Sequence, residues 1–244
     1  KWRKRLQGKV TRVDIAPDIE NGEIVVADIS GYVYRIRLDG SLIQTINFSA
    51  TIYGLLVDDF DADGEYEVVI AGGSNGKVCV VDSGGIHNTT LNGIITDASK
   101  VQFDDDIYLE FALGVFIADG NSKIAVLEYN GTAINQQLFD LQLGVQPTRS
   151  SWGDYDGDGV LDSVFMACDF SASVTYLYRI DKTRQVSKIN LTFSGLLPYH
   201  DPTNPERRIV LADITGDGKD DIIIGLHGAS YARIYFIDLT DLDK

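Results

Sequence analysis

The feature that most constrains the fold is a short pattern that occurs five times along the 244 residues. Each copy is an acidic residue followed directly by an apolar run, and successive copies start 43 to 59 residues apart. The copies begin at Glu23, Glu67, Glu110, Asp162 and Asp221. Apolar runs this short and rich in Val and Ile are typical of strands buried on both faces. The period indicates a repeat architecture.

Each copy is surrounded by further segments with strand character. A polar turn and then an alternating apolar and polar strand follow each run, at 32–39, 77–82, 123–128, 174–181 and 232–238. A short strand precedes each acidic residue, as at 52–57, and a polar strand ends the unit, as at 42–48. No segment of useful length has helical periodicity. Units of four strands therefore predict an all-β fold, a β-propeller built from blades.

The ends of the chain bear on the number of blades. One domain over residues 1–244 is expected, with units at about 8–50, 51–95, 96–145, 146–195 and 205–244. The last unit lacks an obvious fourth strand, and an extra strand is expected at 1–7. Pairing of the two would complete the last blade and close a ring of five four-stranded blades without free edges. The alternative is a part of a larger, for instance seven-bladed, propeller.

Three acidic loops match the ligand pattern that Ca²⁺ requires. Calcium takes six to eight oxygen ligands, and a loop with acids at positions 1, 3, 5 and 9, a carbonyl at 7 and glycine at 6 can supply them. The best loop offers Asp154, Asp156, Asp158, the Val160 carbonyl and Asp162. The second offers Asp59, Asp61, Asp63, the Glu65 carbonyl and Glu67. The third offers Asp213, Thr215, Asp217, the Lys219 carbonyl and Asp221. Because Thr215 replaces a carboxylate, we predict two strong calcium sites and one weaker site.

Other interpretations of these loops fit less well. An EF-hand needs Glu at position 12 between two helices, whereas that position is Ile70, Phe165 or Ile224 within a strand. A single copy would also fit a solvated turn, but three copies each precede a strand in the same register.

The remaining two units have lost the pattern. The loop around Gln102, Asp104, Asp106 and Glu110 keeps its carboxylates, but Ile107 stands where glycine is needed. The loop with Asp14, Asp18 and Glu23 carries an insertion. We predict metal-free turns in both units.

The loop pattern followed by an apolar strand resembles the FG-GAP (VCBS-like) repeat of integrin alpha-subunit propellers and related surface proteins. The resemblance covers the whole chain as a periodicity and is sharp at the loops that start at Asp59, Asp154 and Asp213. It implies that each loop joins the first and second strands of a blade and that the cation is structural. Ala62 at position 4 and Thr215 depart from the family pattern.

The net charge and the composition of the sequence limit the partners and the cellular locations that are expected. A net charge of -15 disfavours nucleic acid and anionic membranes, and no stretch is long enough to insert into a bilayer. Cys79 and Cys168 lie in apolar runs and are expected to be buried thiols. The start lacks the apolar core of a signal peptide, so a mature chain or an excised piece with flanking domains is expected.

Four glycosylation sequons favour an extracellular or cell-surface glycoprotein. They begin at Asn47, Asn88, Asn130 and Asn190. Coincidence on exposed turns is the alternative.

No catalytic centre is evident in the sequence. His87, His200 and His227 have no zinc-site spacing, and no nucleophile elbow or phosphate loop occurs. The chain is therefore expected to be a non-enzymatic module for protein or glycan interaction, as in cell adhesion. A Ca²⁺-dependent lyase or hydrolase acting on polysaccharides is the alternative.

The segment 191–208 stands out because it contains three of the five prolines. We expect it on the face opposite the acidic loops, where Tyr199, His200, Asp201 and Tyr231 are candidates for partner binding. An inert insertion is the other interpretation.

Overall fold

The computed structural model describes residues 3–16, 22–118, 120–194, 209–227 and 232–238. These residues contain strands and no helix. The strands are β1 (Val10–Ile15), β2 (Glu23–Asp28), β3 (Tyr32–Arg37), β4 (Leu42–Asn47), β5 (Ile52–Asp58), β6 (Glu67–Gly72), β7 (Lys77–Val81), β8 (Ile86–Thr90), β9 (Ile94–Val101), β10 (Glu110–Phe116), β11 (Lys123–Tyr129), β12 (Ile134–Asp140), β13 (Val145–Gly153), β14 (Asp162–Asp169), β15 (Val174–Asp181), β16 (Gln185–Ser194), β17 (Ile209–Ala212), β18 (Asp221–His227) and β19 (Ala232–Ile237). The all-β prediction is confirmed.

The strands form five antiparallel sheets in which each strand pairs with the next along the chain. Four sheets have four strands, β1–β4, β5–β8, β9–β12 and β13–β16, and the described part of the fifth is β17–β19. The first strands of successive sheets lie against one another, from β1 to β5, β9, β13 and β17. The sheets therefore follow one another in chain order, as blades of a propeller do.

The core lies between neighbouring sheets. Four apolar clusters join the first sheet to the second, the second to the third, and so on to the fifth. Between the second and third sheets, the rings of Phe60 and Phe111 meet edge to face with centroids 5.5 Å apart. Every residue of β6 is buried, which explains why the second strand of a unit is apolar throughout rather than alternating.

The expected N-terminal strand is not formed over its described residues, 3–7. Leu6 instead packs against the apolar cluster of Val26, Tyr34 and Ile36 in the first sheet. The amide of Gly8 donates a 3.0 Å hydrogen bond to the Asp28 carboxylate, so this donor serves a side chain rather than a strand ladder.

The composition of residues 3–7 explains why they do not form the expected strand. Arg3, Lys4 and Arg5 are consecutive charged residues and give no alternation with an apolar face.

Among the described residues, no apolar cluster joins the fifth sheet to the first. The number of blades and the closure of the ring therefore stay predictions.

Candidate metal centre

The three predicted calcium loops occupy equivalent places in the fold. Each joins the first strand of a sheet to the second: β5 to β6, β13 to β14, and β17 to β18. Their ends are fixed by strand pairing, for example Asp58 with Glu67 and Gly153 with Asp162. The loops therefore lie at the same end of their sheets, the arrangement that the resemblance implied.

The first aspartate of each loop gathers backbone amides around its carboxylate. Asp59 accepts hydrogen bonds from the amides of Asp63 and Gly64, at 3.1 and 3.0 Å. Asp154 accepts three such bonds, including one of 2.8 Å from Gly159. Asp213 repeats the pattern. An acid at position 1 thus folds the loop locally, because a carboxylate competes well for nearby amides.

The glycines of the loops have the conformation that the sequence analysis required. At position 6, Gly64, Gly159 and Gly218 have φ angles of 90°, 84° and 87°. Side chains other than glycine resist this left-handed region. At position 4 two loops also have glycine, whereas Ala62 adopts a φ of 59° there. The loop that contains Ala62 is therefore the more strained version.

The acid at position 9 is buried in every loop. Glu67, Asp162 and Asp221 are only 1 to 2 % exposed. Each accepts a hydrogen bond from the amide of the residue at position 2, which for Glu67 is Phe60 at 2.8 Å. This bond ties the start of each loop to the next strand and fixes the orientation of a carboxylate that begins a buried strand.

Two of the loops bring carboxylate oxygens together. One oxygen from each of Asp59, Asp61 and Glu67 lies within 4.8 Å of the others, and Asp154, Asp156 and Asp162 form a matching set. Ca²⁺ binds oxygen at 2.3–2.6 Å, so ligands on opposite sides of an ion lie about 5 Å apart. Positions 1, 3 and 9 of these loops therefore fit a calcium ion.

The other predicted ligands are placed less closely. Asp63 and Asp158 at position 5 are outside the two sets; Asp158 instead forms an ion pair with Lys182. Within the fully described loop from Asp213 to Asp221, no set of three carboxylates converges in this way. The predicted carbonyl ligands at position 7 belong to Glu65, Val160 and Lys219. The backbone amide of each of these residues donates a hydrogen bond to the position-5 carboxylate of its own loop.

Burial and repulsion from neighbouring carboxylates raise the pKa of the buried acid in each set. Removal from water raises the pKa of Glu67 to about 8, and nearby Asp61 adds to this. The pKa of Asp162 is raised to about 8 by burial and by the charge of Asp156. A bound cation would reverse these shifts, because it favours the ionised form of every acid around it.

A third set of acids lies in the third sheet, where the sequence predicted a metal-free turn. Oxygens of Asp104, Asp106, Glu110 and Glu128 lie within 4.8 Å of one another. Glu110 is 2 % exposed, burial raises its pKa to about 8, and its Oε1 atom has no hydrogen-bond partner. Glu128 was missed because it lies in β11, where strand pairing sets it beside Glu110.

This loop nevertheless differs from the other three. The Nε2 atom of Gln102 donates to the carbonyls of Asp104, Asp106 and Tyr108, at 3.2, 3.2 and 2.9 Å. Arg184 donates to the carboxylate of Asp104 at 2.7 Å. Ile107, at position 6, does not adopt a positive φ. Nitrogen donors thus occupy several oxygens of this loop, and the metal-free turn stays a prediction.

In the first sheet the described acids bind protein groups. Arg35 makes two hydrogen bonds to Glu23, at 2.7 and 2.9 Å. Asp14 accepts the amide of Val57 at 2.8 Å, while Asp18 lies outside the described residues. Two of the three acids of this unit thus have protein partners, and the metal-free turn stays a prediction.

The predicted partner-binding residues cannot be compared with the described structure. Tyr199, His200, Asp201 and Tyr231 lie outside the described residues. His87 lies 3.2 Å from the carboxylate of Asp82. The converging groups in the described part of the chain consist of carboxylates alone, which suits a hard cation better than zinc.

Comparison with known proteins shows the fold and no family. No protein-family model matches the sequence, and no curated protein matches it. The structure is similar to BBS1N in its complex with ARL6DN, with a TM-score of 0.61 and 13% identity over 97% of this chain and 67% of that one. It is also similar to the Dos1 propeller, with a TM-score of 0.58 and 15% identity over 96% of this chain and 59% of that one. The chain is therefore a β-propeller. A helical membrane span is absent from the described ranges.

Proposed function

We propose that the chain is a non-enzymatic interaction module of the cell exterior whose blades are stabilised by calcium. The observation that carries the proposal is the convergence of Asp154, Asp156 and Asp162, repeated by Asp59, Asp61 and Glu67. Each set combines two acids of an exposed loop with one buried acid that starts a central strand. Calcium bound there would link a loop to the core of its blade.

The physical role of the ion follows from the charge of the loops. Three carboxylates within 4.8 Å repel one another when ionised, and the buried member also loses hydration. A cation offsets both effects, and it binds only the folded chain because the unfolded chain separates the ligands. Calcium at 100 times its dissociation constant would add about 2.7 kcal/mol per site to the free energy of unfolding.

Thermal unfolding with and without a chelator tests the structural role. We expect EDTA to lower the Tm and added CaCl₂ to restore it. An unchanged Tm in a protein shown to have lost all its calcium would contradict the proposal.

Two variants locate the effect in the loops. Asp162→Asn should lower the measured number of calcium ions per chain by one. Asp140→Asn serves as the matched control, because Asp140 lies on β12 in an ion pair with Lys123 and outside every carboxylate set. Equal calcium content in the two variants would remove Asp162 from the site.

A protein partner is the first candidate for the interaction. The similar BBS1N structure contains a protein, ARL6DN, and the net charge of -15 favours a basic partner surface. We propose that the contact involves Tyr199 and His200, which the sequence predicts to lie on the face opposite the acidic loops. Retention of full affinity for an identified partner by a Tyr199→Ala/His200→Ala variant would disprove that location.

Glycan binding and glycan cleavage are tested separately. Incubation with acidic polysaccharides in the presence of calcium should give no unsaturated or shortened products. Release of such products, abolished by EDTA, would replace the proposal with a polysaccharide lyase or hydrolase. Occupancy of the sequons at Asn47, Asn88 and Asn130 after secretion from a eukaryotic host would support the extracellular location.

A further inference from the structure

A cavity of about 250 Å³ lies among the first strands of the first four sheets. Its walls include Arg12 of β1, Tyr53 of β5, Thr96 of β9 and Arg149 of β13. Tyr53 and Thr96 belong to the first half of their strands and Arg149 lies at the middle of β13, whereas the acidic loops follow the strand ends. The cavity therefore lies toward the face opposite the calcium loops.

A second cavity of about 120 Å³ adjoins the first and shares two of its residues, Arg12 and Arg149. Asp97, Ser150 and Trp152 also line it. Among the described residues that line the two cavities, Asp97 is the single acid beside two arginines. The described charged residues of the two cavities are thus mainly basic, in a protein whose net charge is -15.

Arg149 is the residue whose hydrogen bonds are incomplete. It is 9 % exposed, and its Nη1 atom donates to the Thr148 carbonyl at 2.7 Å. Its Nε atom is buried and has no hydrogen-bond partner, and the same is true of the hydroxyl oxygens of Thr96 and Ser150. Buried polar groups are nearly always paired, so three unpaired groups around one site indicate a polar ligand.

Arg12 completes the charge of the site. Its Nε atom donates to the Tyr53 carbonyl at 3.0 Å, and its Nη1 atom donates to the carbonyl of Thr11. These bonds fix the guanidinium in place. The carboxylate of Asp97 lies 4.0 Å from Nη2 of Arg12 and accepts the amide of Ser150 at 2.8 Å. Among the described side chains of the site, one acid therefore faces two arginines.

Much of the remaining wall is apolar, although Gln146 and Thr148 also line the larger cavity. Ile94, Phe116, Pro147 and Phe170 line the larger cavity. A guanidinium prefers a planar group with two oxygen acceptors, and apolar walls prefer a hydrocarbon body. The volume is below the range of roughly 300–1,000 Å³ found for drug-sized ligands, so the occupant is small.

From these observations we infer that the cavity binds a carboxylate carried on an apolar group, with Arg149 as its principal partner. A free aromatic or aliphatic acid has this chemistry, and so does the C-terminus of a peptide that ends in an apolar residue. The inference does not depend on calcium, because none of the loop acids lines the cavity.

Calorimetry on the full chain in calcium-containing buffer tests the inference. The free-acid probes are phenylacetate and its neutral analogue phenylacetamide. The peptide probes are a short peptide ending in phenylalanine with a free carboxylate and the same peptide with an amidated end. We expect an acid to bind at least about tenfold more tightly than its amide. Preference for the peptide acid or for phenylacetate identifies the source of the carboxylate.

Variants tie binding to the cavity. Arg149→Met should weaken acid binding at least about tenfold. Arg184→Met is the control, because Arg184 is exposed in the turn after β15, and this variant should bind the acid as before. Thr96→Val changes a hydroxyl to a methyl at nearly constant volume and should weaken binding even if Arg149→Met does not fold. The inference is overturned if neither acid binds at up to about 10 mM, if acid and amide bind equally, or if the folded cavity variants bind like the unchanged protein.

Discussion

Gln102 donates a 2.9 Å hydrogen bond from its side-chain amide to the backbone carbonyl of Tyr108. Tyr108 is at position 7, the position whose carbonyl is a predicted calcium ligand in the other loops. The amide thus engages an oxygen that would otherwise be open to a cation. In this loop a neutral side chain performs the closing role that we assign to calcium elsewhere.

Restoring the loop pattern should create a calcium site in the third sheet. We expect Gln102→Asp combined with Ile107→Gly to bind one additional calcium ion per chain, because the first change removes the amide and the second permits a positive φ. Calorimetric stoichiometry measures the gain. Ile107→Gly alone is the control and should bind no additional ion, since Gln102 still holds the carbonyls. An unchanged stoichiometry in the double variant would contradict this account.

Ala62 should be replaceable by glycine with a gain in stability. Its φ of 59° is costly for a residue with a Cβ atom, and the equivalent residues Gly157 and Gly216 avoid that cost. We expect Ala62→Gly to raise the free energy of unfolding by about 0.5–1 kcal/mol in urea titrations. Ala133→Gly is the control at an exposed alanine without a positive φ, and it should destabilise. A loss of stability in both variants would show that Ala62 is not strained.

The stability of the calcium-free protein should fall as the pH rises. Burial raises the pKa of Glu67 and Asp162 to about 8, above the value in the unfolded chain. A raised pKa contributes stability that is fully present below the unfolded pKa and is lost as the pH rises through the folded one. In EDTA we expect the Tm to fall by roughly 5 °C between about pH 6 and pH 9.

Saturating calcium should suppress this pH dependence, because the ion replaces the protons on the same acids. The comparison of the two pH series is therefore the measurement. A Tm in EDTA that stays constant or rises over this range would be inconsistent with buried acids that gain protons on folding.

Both cysteines should resist thiol reagents in the folded protein. Cys168 is fully buried and its pKa is raised to about 11 by burial, while burial also raises the pKa of Cys79. The thiolate is the reactive form, so we expect negligible colour development with DTNB at neutral pH and two thiols per chain after unfolding in guanidinium. Rapid reaction of the native protein would indicate that a blade opens readily.

The sequence predicted the strands well because their periodicity reflects burial. The apolar run after Glu67 is a strand buried on both faces, and the alternating segment at 174–181 is β15 as expected. The prediction of a strand at 1–7 was wrong over the described residues of that segment. Apolar residues near a terminus, such as Leu6, can cover a sheet face without forming a strand.

The candidate sites were only partly accessible from sequence. Positions 1, 3 and 9 of two predicted calcium loops converge because local turns fix them. Glu128 joins its acidic set through strand pairing, and the direction of the Gln102 amide depends on atomic geometry. Arg12 and Arg149 line the same cavity because the first and fourth sheets, which are far apart in the chain, both contribute to its wall. No local sequence pattern predicts that these two residues are close in space.

Each apolar cluster between sheets involves only neighbours in chain order within the described structure. Aliphatic side chains such as Val25, Val57 and Val68 make these contacts together with buried aromatic rings. None of the loop carboxylates belongs to these clusters, so the residues that pack one blade against the next are different from the residues proposed to bind an ion.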